Sequence, residues 1–271
     1  MKLLTLNTHS WLEEKQVEKL DILCDAIITE GYDLISLQEV NQTIKEESID
    51  TSHLQNYQAS TLDNQIKKDN FAWLLQQKLA AKGFHYNWTW EPSHIGYGMY
   101  DEGLAFLSRF PIQNIQTFYA SQSTDYTDYK SRKVLGIQVQ DTWYFNLHLG
   151  WWNDEREAFA DQWTACEAHF SVLAGPIFLL GDLNNPAQSL DEGYSLVTKN
   201  WLDTYHLASK RDNGYTIQKQ IDGWSDNHEP LRIDFIFTNT PIQVHYSEVI
   251  FNGKNYPIIS DHFGISVEWE S

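Results

Sequence analysis

Apolar positions along the 271-residue chain recur at two periods, and the switches between those periods mark out the elements. Lys2 to Thr8 alternates as a strand. Val17, Leu20, Leu23, Cys24, Ile27 and Ile28 then return at helical spacing. Gly31 follows as a C-cap, because glycine enters the left-handed conformation without a Cβ penalty. Asp33 to Gln38 is mostly apolar and ends at Glu39, so the first unit reads strand–helix–strand. Residues 41–68 are polar and without a clear period, which predicts a long loop. Asp69 is placed to cap a second helix that carries Phe71, Leu74, Leu75 and Leu79 and is closed by Gly83. Strands are expected at 84–90, 103–108, 112–118, 132–139 and 143–149. An amphipathic helix is expected over about 154–173, with Phe159, Trp163, Cys166 and Phe170 on one side. Ile177 to Leu180 is a buried-type strand running into Gly181-Asp182-Leu183-Asn184-Asn185-Pro186. Ile233 to Phe237 and Ile265 to Trp269 are further strands, and Ile258 to His262 leads into the last one. No repeat, linker or low-complexity tract interrupts this order, so residues 1–271 are expected to form one mixed α/β domain.

Composition refines the picture. With 42% hydrophobic and 21% charged residues the chain has the balance of a protein with a sizeable core. Nineteen Lys+Arg stand against 37 Asp+Glu, a formal charge of −18. That argues against a protein that holds nucleic acid or an anionic membrane by a basic surface, since such affinity comes from Lys and Arg meeting phosphates. A local phosphate site stays open, because one metal ion or Arg reverses the field around it. Cys24 and Cys166 lie far apart without metal spacing and are expected to be buried free thiols. No apolar run approaches the ~18–20 residues of a membrane span. The segment Met1 to Trp11 reaches Glu13 and Glu14 without the apolar core of a signal peptide, which predicts a cytoplasmic protein.

Chemistry enters where acids, amides and histidines interrupt apolar strands. Asn7 closes the first strand, Glu39 the second and His148 the strand around Phe145-Asn146-Leu147. Asp182 and Asn184 follow Ile177–Leu180, Asp234 sits within Arg232-Ile233-Asp234-Phe235-Ile236-Phe237, and Asp261-His262 precede the last strand. Taken singly, each has the ordinary explanation of a turn residue. Together they bring acids, amides and imidazoles from strand ends over the whole chain, as a site on a rigid scaffold requires. Asp234, amid Ile and Phe, must be paired or hydrogen-bonded if it is buried.

The ordered series Asn7, Leu37-Gln38-Glu39, Gly181-Asp182-Leu183-Asn184, Arg232 to Phe237 and Ser260-Asp261-His262 resembles the endonuclease/exonuclease/phosphatase superfamily over residues 2–269. The resemblance implies a four-layer α/β/β/α sandwich: two packed mixed β-sheets flanked by helices, with the site at one end of the sheets. It implies phosphoester hydrolysis with Mg²⁺, or Mn²⁺, held by Glu39 with Asn7 and Asp261, a sparse set that suits an ion keeping several waters. It also implies Asp182 as orienter or base for the attacking water, Asn184 on the phosphate, and His262 on the phosphoryl oxygens with Asp234 fixing its tautomer. His148 matches the second histidine of deoxyribonuclease-like members, with Glu102 as its orienting partner, and Arg132 falls where a phosphate-contacting Arg is placed.

The substrate is a separate question, because a fold hosts many functions. Eleven Trp are present, and Trp151-Trp152 directly follow His148-Leu149-Gly150, where flat faces suit a sugar ring or a nucleobase. His148-Leu149-Gly150-Trp151-Trp152-Asn153-Asp154-Glu155 together with Ile221-Asp222-Gly223-Trp224 resembles the bacterial branch that includes maltose 6'-phosphate phosphatases. That implies a small phosphorylated sugar as partner and not nucleic acid or a membrane. The alternatives are a phosphodiesterase, either a nuclease or a sphingomyelinase-like lipid hydrolase, and a non-catalytic binding module. The last predicts damaged site residues, yet the series is intact.

Overall fold

The computed structural model describes residues 1–221 and 223–270. In chain order its strands are β1 (Lys2–Asn7), β2 (Leu34–Thr43), β3 (Asn87–Gly96), β4 (Tyr100–Ser108), β5 (Asn114–Tyr119), β6 (Lys133–Val139), β7 (Thr142–His148), β8 (Ile177–Asp182), β9 (Leu202–Asp203), β10 (Ala208–Arg211), β11 (Asp234–Thr238), β12 (Val244–Ile250) and β13 (Gly264–Trp269). The three longer helices are α1 (Gln16–Glu30), α2 (Phe71–Ala81) and α3 (Phe159–Phe170). One sheet runs β10-β12-β13-β1-β2-β4-β3 and the other β5-β6-β7-β8-β11-β9. Both are mixed: β1–β2 and β7–β8 are parallel, whereas β2–β4 and β8–β11 are antiparallel.

The two-residue period of a strand sends neighbours to opposite faces, and β1 displays the result. Leu3 packs between the sheets with Leu34, Phe106, Leu135, Phe178 and Ile236. Leu4 and Leu6 face outward and are covered by Leu20, Leu23 and Ile27 of α1 and Leu75 and Leu79 of α2. The second sheet is covered in the same way: Phe145, Leu179 and Phe237 lie under Phe159, Trp163 and Phe170 of α3. The result is the expected four layers. Cys24 and Cys166 are buried free thiols within the two helix-covered layers.

Several local expectations shift. Asn70, not Asp69, caps α2, its side chain accepting from Trp73 N; both carboxylate oxygens of Asp69 accept from Thr43 N instead. α3 begins at Phe159 because 151–158 is committed to turns, with Asp154 Oδ1 accepting from Arg156 N and Glu157 N. β12 carries too weak an alternation to be read from the sequence, since His245, Ser247 and Glu248 interrupt its seven residues. Gly181 lets β7 and β8 close beside the site: its φ is +141°, and a Cβ there would lie 2.0 Å from Leu147 O. Among the described residues no helix is long and apolar enough to cross a membrane.

Candidate active site

Two different devices bring the polar residues together. In the second sheet the device is regular register. His148 pairs across to Asp182 and Asp182 to Asp234, so β7, β8 and β11 place one polar residue each in a single row at the strand ends. In the first sheet it is irregularity. β2 pairs Leu37 with Ala105 but Val40 with Gly103, leaving Gln38 and Glu39 opposite Leu104 alone. Such a bulge re-aims a side chain. Glu39 takes φ 51°, a left-handed conformation that costs a non-glycine residue roughly 1–3 kcal/mol. Its carbonyl is held by the hydroxyls of Thr8 and Ser10. Asn184, just after β8, is also left-handed, with φ 50°.

Asn7 joins the two sheets. Its Nδ2 donates to Glu39 Oε1 at 2.8 Å and to Asp182 Oδ2 at 3.2 Å. Asp182 Oδ1 accepts from Asn184 N at 2.8 Å, while Oδ2 lies 3.7 Å from His262 Nε2 and 3.8 Å from His148 Nε2. His262 Nδ1 is 3.0 Å from Asp234 Oδ2, the acid–imidazole pair that the motif implies. Ser260 fixes that corner, donating its hydroxyl to Asn7 O and accepting from His262 N. His9 Nδ1 lies 2.8 Å from Glu13 Oε1 and 3.6 Å from Asp261 Oδ1. His9 and Glu13 were not read from the sequence; their i,i+4 spacing was the available signal.

These groups open on a cavity of about 730 Å³, whose wall includes Glu39, Glu102, Arg132, His148, Trp151, Asp182, Asn184, Asp261 and His262. Asn7 and Asp234 stand behind it. Three assignments move. Trp152 turns away from the cavity and packs on Phe159, ring centroids 6.5 Å apart, so only Trp151 of the pair lines it. Glu102 pairs with His94, Nε2 to Oε1 at 3.3 Å, and not with His148. The Asn184 side chain is engaged by the scaffold, donating to Leu149 O and accepting from Trp224 Nε1. In the Ile221-Asp222-Gly223-Trp224 motif, Asp222 lies outside the described residues; Gly223 touches the Trp151 indole, where a Cβ would come within 2.4 Å.

The electrostatics follow from burial and crowding. Burial, with the charges of Glu102 and Asp261, pushes the Glu39 carboxyl up to about 8. Burial and Asp234 push Asp182 up to about 7 against the opposing pull of His262. Burial alone would lower His262, but Asp234 and Asp182 outweigh it and hold the imidazole well above its usual value. Burial depresses His148 far below its usual value, with Arg132, His94 and His262 adding to the effect, so it is neutral. Two buried carboxylate oxygens of the cluster, Glu39 Oε2 and Asp234 Oδ1, have no hydrogen-bond partner. Carboxylates this crowded, two of them with a buried unpartnered oxygen, fit a hard divalent cation with oxygen ligands. Two acid–imidazole groups have ligand atoms within 4.8 Å of one another: Asp182, Asp234 and His262, and His9, Glu13 and Asp261. In the first, the 3.0 Å Asp234–His262 contact already uses His262 Nδ1.

A family model for the Endonuclease/Exonuclease/phosphatase family matches residues 12–262. No curated protein matches the sequence. Among solved structures, an endonuclease/exonuclease/phosphatase family protein from Leptotrichia buccalis is similar at 33% identity and TM-score 0.87, with both chains covered in full. A mannosyl-6-phosphatase from Bacteroides thetaiotaomicron shares the fold at 14% identity and TM-score 0.65, each chain covered in full. A 3' phosphatase from Neisseria bound to product DNA hairpin does so at 16% identity and TM-score 0.64, again with full coverage of both. Members of the family hydrolyse phosphoesters and use divalent metals. From the match over residues 12–262 and the two-sheet architecture, the chain belongs to the endonuclease/exonuclease/phosphatase family.

Proposed function

We propose that this chain is a phosphomonoesterase dependent on Mg²⁺, with Mn²⁺ able to replace it, acting on a small phosphorylated sugar such as maltose 6'-phosphate. The observation that carries the proposal is Arg132. The residue is only 4% exposed, its Nε is buried without a partner, and its side chain makes no ion pair among the described residues. The guanidinium stands over the Trp151 ring, 5.8 Å from the centroid, and its charge helps hold the Glu102 carboxyl below its usual value. A buried unpaired cation is costly and calls for an anion, and Arg132 lines the cavity into which the carboxylate cluster opens. A volume of about 730 Å³ lies within the range of small-molecule sites. The −18 charge leaves little outside the cavity to hold a polymer. A sugar phosphatase and a DNA phosphatase both share the fold, so the choice rests on the cavity and the charge. On this proposal residues 1–271 act as one catalytic domain on a cytoplasmic sugar phosphate.

Glu39, Asn7 and Asp261 would hold the ion, which when bound supplies positive charge at a phosphoryl oxygen. The remaining roles belong to side chains. Arg132 binds the phosphoryl group. Asp182 Oδ2 takes the proton of the attacking water, with a carboxyl poised at about 7 as an efficient base requires. His262, charged through Asp234, donates from Nε2 to a phosphoryl oxygen. Asn184 anchors Asp182 through its backbone N–H. Trp151 offers a flat face to the leaving sugar. Purified protein with Mg²⁺ should release phosphate from maltose 6'-phosphate far faster than it cuts DNA; the opposite preference would favour the nuclease alternative and refute the proposal.

A further inference from the structure

Glu39 is not the only side chain that a strand irregularity turns toward the cavity. On the far side of β4, the register of β3 runs Pro92 with Gly103 and then His94 with Glu102, which leaves Ser93 as an extra residue. A bulge changes which face the following side chains take. Here it sets His94, 3% exposed, and Glu102, 6% exposed, side by side in the cavity wall. His94 Nε2 is 3.3 Å from Glu102 Oε1. Gly96 closes the other side: a Cβ there would lie 2.5 Å from Glu102 Oε2, so only a glycine leaves room for this carboxylate. Among the described residues His94 is the ion-pair partner of Glu102, and the charges of Arg132 and His9 also act on its carboxylate.

A carboxylate held this way still has acceptor capacity and needs donors to fill it. A phosphodiester backbone brings acceptors and negative charge and is repelled. A sugar brings hydroxyl donors. Resting on the phosphomonoesterase proposal above, we infer that Glu102 is a substrate-contacting residue that accepts a hydroxyl of the leaving group, and that His94 is the positioning residue that fixes its carboxylate. Both residues line the cavity, Arg132 taking the phosphoryl group and Glu102 a hydroxyl of the leaving group. The same carboxylate excludes a second phosphate, a repulsive element of the kind specificity often requires.

The test compares maltose 6'-phosphate with phenyl phosphate, whose leaving group carries no further hydroxyl, using the Mg²⁺-loaded enzyme. Glu102→Gln should lower kcat/KM for the sugar phosphate about tenfold, mainly through KM, and leave phenyl phosphate within about twofold. His94→Ala should reproduce this selective loss. His94→Gln, whose amide can still donate to Glu102, should recover most of it. Equal losses on both substrates, no loss on either, or a raised Mg²⁺ requirement in Glu102→Gln would overturn the inference, because Glu102 would then serve the chemistry, nothing, or the ion. If the unmodified enzyme hydrolyses neither monoester, the phosphomonoesterase proposal itself fails.

Discussion

The two sheets contribute to one site in opposite ways. The second sheet delivers His148, Asp182 and Asp234 by unbroken register, each strand extending the ladder by one more polar residue. The first delivers Glu39 and His94 through bulges on the two sides of β4, with Glu39 in a left-handed conformation held by Thr8 and Ser10. Register positions a row of side chains at no conformational cost, and it suits the Asp–His machinery that must stay aligned. Bulges bring a carboxylate and an imidazole where a regular strand would not place them, and at Glu39 the left-handed backbone adds strain. A protein keeps such strain where the chemistry requires it, and here that is the proposed ion-binding carboxylate.

The comparison can be broken from either side. Glu39→Ala on the bulged side and His262→Ala against the regular row should each lower turnover by on the order of 10²–10⁴, comparable with losing an acid–base or oxyanion-type contact. Near-normal turnover in both would remove the site assignment. Asp234→Asn should lower kcat by on the order of 10², because His262 loses the charge that fixes its tautomer, while the far-ultraviolet spectrum stays unchanged. The Trp pair sharpens the contrast between site and scaffold. Trp151→Ala should raise KM for the sugar phosphate roughly tenfold, whereas Trp152→Ala should leave KM alone and lower Tm by a few degrees, as expected for a ring packed on Phe159.

The smallest effect is a pH dependence of stability. Glu39 and Asp182, at about 8 and about 7, sit above the ordinary carboxyl values of 4.5 and 3.8. Between those limits the folded metal-free chain binds more protons than the unfolded one, so their stabilising contribution is full at low pH and is lost as pH rises toward 8. Mg²⁺ must displace the proton from Glu39, so it binds better at high pH. Adding Mg²⁺ to chelator-treated protein should therefore raise Tm by a few degrees more at pH 8 than at pH 6. An equal rise at both would mean that Glu39 does not hold the ion.

What was legible in the sequence follows the same division. His148, Asp182 and Asp234 could be read because each interrupts an apolar strand at its end, and regular register carries that position directly into space. Glu39 was legible only because it closes Leu37-Gln38-Glu39; the bulge that turns it inward leaves no periodic trace. His94 was missed for the same reason: after Pro92, the extra Ser93 shifts the alternation by one. Glu102 is legible as an orienting partner, but the resemblance gives it to His148, since chain order cannot tell which imidazole a bulge brings near. Trp151 and Trp152 were separated only by the turns that precede α3.

On the proposed assignment the ion belongs to the bulged side and the phosphoryl group lies between it and Arg132. A crystal structure with Mg²⁺ and inorganic phosphate tests this most directly. Mg²⁺ should be bound by Glu39 through Oε2, which lacks a partner, with phosphate on Arg132 and His262. Mg²⁺ bound instead by Asp182, Asp234 and His262, with Glu39 unligated and Arg132 free of phosphate, would contradict it.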